Sequence, residues 1–328
     1  MFRWGVLSTA KIGREQTLPA IAASTNGVLT AVASRDITRA RALADQYSAE
    51  HAYGSYEELL ASDTVDGVYI PLPTSHHLEW CLKAAAAGKH VLCEKPIAMQ
   101  ADDIDRLIAA ERDYNVKIAE AFMVSYHPQW AKVRELIETG AIGQLRRVEG
   151  AFCYFNDDPA NMRNKMELGG GALRDVGVYP TVTTRLATGM EPLRLRASMT
   201  RSPDFGTDVY TSVQADFGSF ELLFYCSTQL ALRQSMVFHG DQGWISLSAP
   251  FNPGGYDSAE VTLNSVNRSE QSIYRFTGRN QFKLQIEEFG CAAMGEEASV
   301  FTLRDSRNNQ KVIDAAFQAA EKQAWVDL

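Results

Sequence analysis

The sequence predicts an α/β protein: an N-terminal doubly wound parallel-sheet domain, followed by an α+β domain built on a mostly antiparallel sheet. Three observations carry this expectation. Over residues 1–120, short apolar runs alternate with segments of helical period, the rhythm of a parallel sheet with crossover helices. Beyond about residue 123, extended segments follow one another directly, joined by turns such as "FGSF" and "DQGW". The length, 328 residues, suits two domains of about 100–200 residues each.

In order, the apolar runs 3–8 (RWGVLS), 30–34, 67–72, 90–95 and 117–122 read as buried strands. Between them, 12–24, 37–48, 55–61, 75–87 and 101–114 read as helices. Gly27 and Gly88 stand where helices stop. Ser55, Thr74 or Ser75, and Asp102 or Asp103 are the candidate N-caps. The domain division is expected at 1–122 and 123–328. After a helix at 128–139, closed by Gly140, come strands at 145–155, 193–201, 208–217, 220–228, 233–239, 243–248, 260–266 and 271–276. Helices at 280–294 and 306–323 end the chain, the last free to pack back on the first domain. In "FELLFYCS" apolar residues fall on both faces: Phe220, Leu222, Phe224 and Cys226 on one, Leu223 and Tyr225 on the other. A sheet apolar on both sides needs cover on both sides, and a second copy of the chain is one candidate cover.

Composition is that of an ordinary globular protein, 45% apolar and 22% charged. The formal charge of -8 argues against nucleic-acid binding through phosphate contacts. No stretch of about 20 apolar residues is present, so no membrane partner is expected, and the chain reads as soluble and cytoplasmic. Its five cysteines are scattered without a CxxC pair. That pattern suits reduced thiols rather than a disulfide framework or a zinc site. His76 and His77 are adjacent, cannot both face one site on a helix, and have no Cys or acidic companions, so no metal is expected.

The first strand-to-helix turn, "GVLSTAKIG", has small residues where a pyrophosphate would approach the helix N-terminus. Its candidate contacts are Ser8, Thr9, Ala10 and Ile12, with Gly13 the one glycine of a G-x-G-x-x-G spacing. The second strand ends in Ser34-Arg35, with Arg39 one helical turn on. A guanidinium there suits a ribose 2′-phosphate, so NADP(H) is expected over NAD(H). Asp36 keeps NAD(H) open, because a shift of one residue would bring an acid to the ribose. "HVLCEKP" ends a buried strand in Glu94-Lys95, and strand ends are where doubly wound sheets bind ligands.

Four stretches, "AGKHVLCEKPIAM" (87–99), "IPLPTSHH" (70–77), "EAFMVSYHPQW" (120–130) and "GGGALRDVGVYP" (169–180), together resemble the Gfo/Idh/MocA oxidoreductases across essentially the whole chain. The resemblance implies a Rossmann domain plus an open-faced antiparallel sheet that often forms the subunit interface. It also implies an NAD(P)-linked reaction on a sugar, polyol or related ring compound. Tyr179 is similar to the branch with glucose–fructose oxidoreductase, dimeric dihydrodiol dehydrogenase and NADP-linked xylose dehydrogenases; other branches carry histidine. Lys95 is implied to lie near nicotinamide and substrate, Tyr179 to be the acid/base, and Asp175 its acidic partner. Leu72, Pro73, Thr74 and His77 fall in the family's loop after the third strand, with Thr74 where asparagine is commoner. Ser125 stands where arginine is frequent. A homodimer or homotetramer through the C-terminal sheet is implied.

The residue types suit the chemistry. A free tyrosine titrates near pH 10, and a neighbouring ammonium such as Lys95 lowers that value. Asp175 and Tyr179 are i and i+4, on one helix face, where the carboxylate is expected to orient the phenol or a substrate hydroxyl. Gly169, Gly170 and Gly171 let main chain pass close to the cofactor or to a neighbouring strand, and present N–H groups at a helix start. Pro180 is expected to bend that helix. Arg163 reads first as a solvated arginine, with a contact to substrate oxygens or to the cofactor the alternative. Two other functions stay open: a non-catalytic NADP-binding redox sensor, and glycoside cleavage with internally recycled NAD.

Overall fold

Six short strands make the sheet of the first unit: β1 (Phe2–Leu7), β2 (Gly27–Ala33), β3 (His51–Tyr53), β4 (Gly67–Ile70), β5 (His90–Cys93) and β6 (Ile118–Glu120). All neighbours are parallel, in the order β3-β2-β1-β4-β5-β6. In this computed structural model residues 1–328 are described, and they divide into two compact units. Residues 1–126 and 280–307 form one, residues 127–279 and 308–328 the other. The expected α/β class and the parallel-then-antiparallel organisation are what the structure has.

Strands covered on both faces must be apolar on both, and β4 is buried at all four positions. Five helices alternate with the strands: α1 (Leu18–Ala23), α2 (Ile37–Gln46), α3 (Tyr56–Ala61), α4 (Thr74–Ala86) and α5 (Ala101–Asp113). Ser55 caps α3 as expected, its Oγ accepting from Glu58 N at 3.1 Å. The other two caps differ. α4 begins at Thr74 behind Pro73, and α5 at Ala101 behind Gln100, neither with a side-chain cap. Asp102 and Asp103 instead occupy the first turn of α5, where negative charge complements the helix dipole. Between β1 and α1 the helix opens with a π turn, Gly13–Thr17.

Residues 280–307 come after most of the other unit in sequence yet belong to this core. Phe289, on the helix Gln281–Ala293, packs its ring 5.4 Å from Trp4 and 6.1 Å from Phe2. Glu287 accepts from Thr25 N at 2.8 Å, and Arg307 forms a two-pronged pair with Asp105 at 2.6 and 2.9 Å.

The second unit opens with α6 (Pro128–Glu138) and holds a nine-stranded sheet. Its strands are β7 (Leu145–Phe155), β8 (Arg194–Arg201), β9 (Asp208–Asp216), β10 (Glu221–Ser227), β11 (Gln229–Gly240), β12 (Gly243–Leu247), β13 (Glu260–Ser265), β14 (Gln271–Arg275) and β15 (Val326–Asp327). The order is β14-β13-β12-β11-β7-β10-β9-β8-β15, antiparallel throughout except for the pair β7–β10. Parallel neighbours need a long crossover. Here it includes α7 (Val178–Thr188), which packs on β7. Gly150 of β7 makes room for it: a Cβ there would lie 3.1 Å from Pro180 Cβ. β9 and β12 alternate buried with half-buried residues, as in a sheet with one face packed.

Candidate active site

In the first unit the strand order turns back on itself between β1 and β4, and the carboxyl ends of β1, β2, β4 and β5 carry the residues singled out from the sequence. After β1, Ser8 has φ of 117°, a left-handed conformation that glycine adopts freely and serine does not. Its backbone N–H donates to Ala33 O at the end of β2, and its Oγ accepts from Ala10 N at 3.2 Å. Thr9, Ala10 and Ile12 are half-buried. Ala10, the residue before the helix, has no side-chain acceptor with which to cap it, and its carbonyl accepts from Arg14 N.

After β2, Ser34 is buried and its Oγ accepts from Asp36 N at 3.2 Å. Arg35 and Arg39 are exposed. Asp36 is occupied locally. One carboxylate oxygen accepts from Thr38 N at 2.9 Å, capping α2, and the other lies 3.5 Å from Arg39 Nε.

After β4, Leu72 and Pro73 are half-buried and Thr74 is buried. His77 is 1% exposed, and both ring nitrogens face backbone carbonyls: Nδ1 lies 2.7 Å from Pro96 O and Nε2 2.8 Å from Leu72 O. The ring is spent on main chain, so its role differs from the direct contact expected. It ties the loop after β4 to the turn after β5. There, Glu94 accepts from the buried Tyr69 hydroxyl at 2.7 Å and from Lys95 N at 3.3 Å. Lys95 is half-buried.

In the second unit the glycine run enters a π turn, Leu173–Gly177, directly before α7. Pro180, three residues past that turn, has no N–H to donate and its ring crowds the carbonyl four residues back. The helix carries its π turn ahead of the proline, and Pro180 stands within the first turn of α7. The glycines serve the neighbouring strand and loop. A Cβ on Gly170 would lie 2.4 Å from Arg163 O, and one on Gly171 2.0 Å from Asp208 Oδ1.

Their N–H groups are not presented to a ligand, contrary to the sequence expectation. Those of Gly169, Gly170 and Gly171 donate to Met166, Lys165 and Arg163 carbonyls. The N–H of Leu173 goes to Asp208 Oδ2 at 2.7 Å. Asp208, 2% exposed at the start of β9, also accepts from the Thr211 hydroxyl. Burial raises its carboxyl above the usual range, against those hydrogen bonds.

Asp175 gathers two donors on one oxygen: the Tyr154 hydroxyl at 2.5 Å and Arg163 Nε at 2.8 Å. The charge of Asp175 raises the Arg163 guanidinium further, and burial followed by the same charge raises the Tyr154 phenol. Arg163 is thus an ion-paired group rather than a solvated one, while its side chain keeps 40% exposure. Tyr179 is 4% exposed and lies among Phe152 and Phe251, ring centroids 5.3 and 5.5 Å away. Ser125 donates to Phe122 O at 2.7 Å. Tyr154 and Asp208 escaped the sequence reading. The one available signal was an acid opening a strand, as Asp208 does.

No group of three His, Cys, Asp or Glu side chains could hold a metal ion, and no helix is long and apolar enough to cross a membrane.

Two family models match the chain. Residues 2–122 fit the oxidoreductase family with an NAD-binding Rossmann fold, and residues 130–246 the GFO/IDH/MocA C-terminal domain. The chain belongs to the Gfo/Idh/MocA family. It is therefore an oxidoreductase built on an NAD-binding Rossmann fold. Among its family relatives is an uncharacterized oxidoreductase of Rhizobium meliloti, 37% identical over 99% of this chain and 98% of that one. A D-xylose 1-dehydrogenase (NADP(+)) of Haloferax volcanii is 34% identical over 99% of both chains. Among solved structures, KijD10, a 3-ketoreductase from Actinomadura kijaniata in complex with NADP and TDP-benzene, superposes with a TM-score of 0.91. It is 28% identical and 97% of each chain is covered. Solved variants of that enzyme replace a tyrosine by phenylalanine and a lysine by alanine or glutamate.

Proposed function

We propose that this chain is an NADP-dependent dehydrogenase or reductase acting on a hydroxyl, or the matching carbonyl, of a sugar, polyol or related cyclic compound. Tyr179 is its general acid/base, with the Lys95 ammonium stabilising the phenolate. The observation that carries this reading is a spacing. The lysine and tyrosine replaced in the KijD10 variants stand at the same sequence separation as Lys95 and Tyr179, in a relative whose structure holds NADP.

The first unit fits such a cofactor. A helix start without a side-chain cap, behind a serine held in a left-handed conformation, suits a pyrophosphate on free N–H groups. Ser8, Thr9, Ala10 and Ile12 would line it, with Leu72, Pro73, Thr74 and Glu94 around the neighbouring strand ends. Asp36 is engaged by its own helix cap and by Arg39, whereas exposed Arg35 suits a 2′-phosphate. This supports NADP(H), with NAD(H) the lesser partner. When bound, the nicotinamide supplies the hydride acceptor or donor.

The chain itself handles the proton. The Tyr179 phenolate takes it from a substrate hydroxyl in oxidation, and the resulting phenol returns it in reduction. Lys95 brings the phenol towards the working pH by favouring its anion. Asp175, held by Tyr154 and Arg163, orients a substrate hydroxyl rather than serving as the base, and Arg163 offers the substrate its remaining N–H groups. Homo-oligomerisation through the outer face of the second unit's sheet belongs to the same reading. The half-buried Leu223 and Tyr225, the latter stacked 6.1 Å from Tyr210, support it.

The test is Tyr179→Phe, assayed on a panel of aldoses and polyols with NADPH and NADH affinities measured alongside. Turnover should fall by about 100-fold or more with NADPH affinity retained, the scale of acid–base catalysis. Near-normal turnover would remove Tyr179 from the mechanism. Equal affinity for the two cofactors would remove the NADP assignment.

A further inference from the structure

Beyond Cys93 the turn after β5 leaves the sheet. The last ladder bonds are Glu94 N to Ile70 O and Ala121 N to Cys93 O, at 3.1 and 2.7 Å. Past the ladder the Pro96 carbonyl and the Ile97 amide have no strand to pair with, and a buried turn must satisfy them from side chains. Both find them in buried ionisable groups. His77 Nδ1 meets Pro96 O, and Glu120 Oε1, at the end of β6, accepts from Ile97 N at 2.9 Å.

Each partner is a costly choice. Glu120 is 3% exposed. A carboxylate there is disfavoured unless well bonded. Burial pushes it up to about 7, against the Ser306 hydroxyl, the Ile97 N–H and the charge of Lys95, and with the charge of Glu94. His77 is pushed down to about 4, by burial first and by the charges of His76 and Lys95, against its two carbonyl contacts. A neutral ring has one N–H for two carbonyls, and satisfying both takes the charged form that burial opposes. Apolar residues would fill either place without this penalty. Two such groups on successive residues beside Lys95 mark a turn whose geometry matters more than its stability.

We propose that Glu120 and His77 are positioning residues for Lys95, holding the Ile97 amide and the Pro96 carbonyl and so fixing the turn that carries the ammonium. The inference rests on the functional reading above, in which Lys95 acts on the acid/base.

The experiment follows Lys95 directly. Reductive ¹³C-methylation of lysines gives each a resolved NMR signal, and Lys95→Ala assigns the one of interest in the cofactor-free protein. Glu120→Ala and His77→Ala should shift or broaden that signal and lower turnover by about 100-fold, the cost of a displacement of about 1 Å. NADPH affinity should stay within about threefold of wild type, a small change on the affinity scale. Glu120→Gln, which keeps an acceptor for Ile97, and His77→Asn, which keeps a nitrogen at the Nδ1 position, should restore both. If Glu120→Ala does not fold, Glu120→Asp withdraws the acceptor by one methylene and should reproduce the signal change. An unaltered Lys95 signal in the His77 and Glu120 variants, beside an inactive Lys95→Ala, overturns this inference alone. A fully active Lys95→Ala overturns the functional reading, and the signal test still stands or falls by itself.

Discussion

Two turns of small residues lead into helices that open with a π turn, and the chain treats them in opposite ways. Ser8–Gly13 precedes the π turn Gly13–Thr17, and Gly169–Gly171 precedes the π turn Leu173–Gly177. Glycine count alone would make Gly169–Gly171 the ligand site. That turn is instead closed by the protein itself: Asp208 reaches in from β9, takes the Leu173 N–H and fills the space a Cβ would need. The turn at Ser8–Gly13 has a single glycine and an unfavourable serine conformation, and the side chain that takes one of its N–H groups, that of Ala10, is the uncharged Ser8 hydroxyl. The two turns therefore differ in whether the fold brings its own anion to the helix start, not in how bare the backbone is.

The largest effect expected from this contrast is Gly171→Ala. Gly171 has φ of 117°, and an added Cβ would collide with Asp208 Oδ1. Strain and overpacking together should cost about 3–5 kcal/mol, read by urea or thermal unfolding. A loss below about 1 kcal/mol would mean that Asp208 gives way and does not close the turn. Asp208→Ala should come next, at about 2 kcal/mol, because the Leu173 N–H and the Thr211 hydroxyl lose a buried acceptor. The loss is smaller because burial already disfavours the ionised carboxyl it removes. The pair should be strongly non-additive, since Asp208→Ala also removes the atom that Gly171→Ala strikes.

The same contrast shows what the sequence could disclose. The parallel domain was legible because buried strands and amphipathic helices leave different periods, and Ser55 as a cap because its partner, Glu58 N, is local. The strand end before Lys95 was legible because a proline follows it. Asp208 was not. Beyond the local Thr211 hydroxyl, the N–H it accepts lies 35 residues away at Leu173, and one sequence does not say which strand lies against which helix start. Tyr154 was hidden for the same reason, on β7 with its acceptor on another element. Glu120 did leave a trace, an acid inside the apolar run "KIAEAF", which only becomes informative once its burial is known.

The smallest effect, and the sharpest test of the contrast, is Gly13→Ala. An added Cβ would sit 3.5 Å from Tyr69 and 3.6 Å from Leu18 and Pro71, ordinary contacts, and the backbone is not left-handed. Alanine in place of a helical glycine should therefore stabilise the first unit, by up to about 1 kcal/mol. The same change of residue thus has opposite signs at Gly13 and Gly171. If, as proposed, the N–H groups of the turn bind the pyrophosphate, NADPH affinity should hold within about threefold, because the added methyl faces the protein interior. If affinity instead collapses while stability rises, the open turn binds by close approach over Gly13 itself, and bareness of the backbone matters there after all.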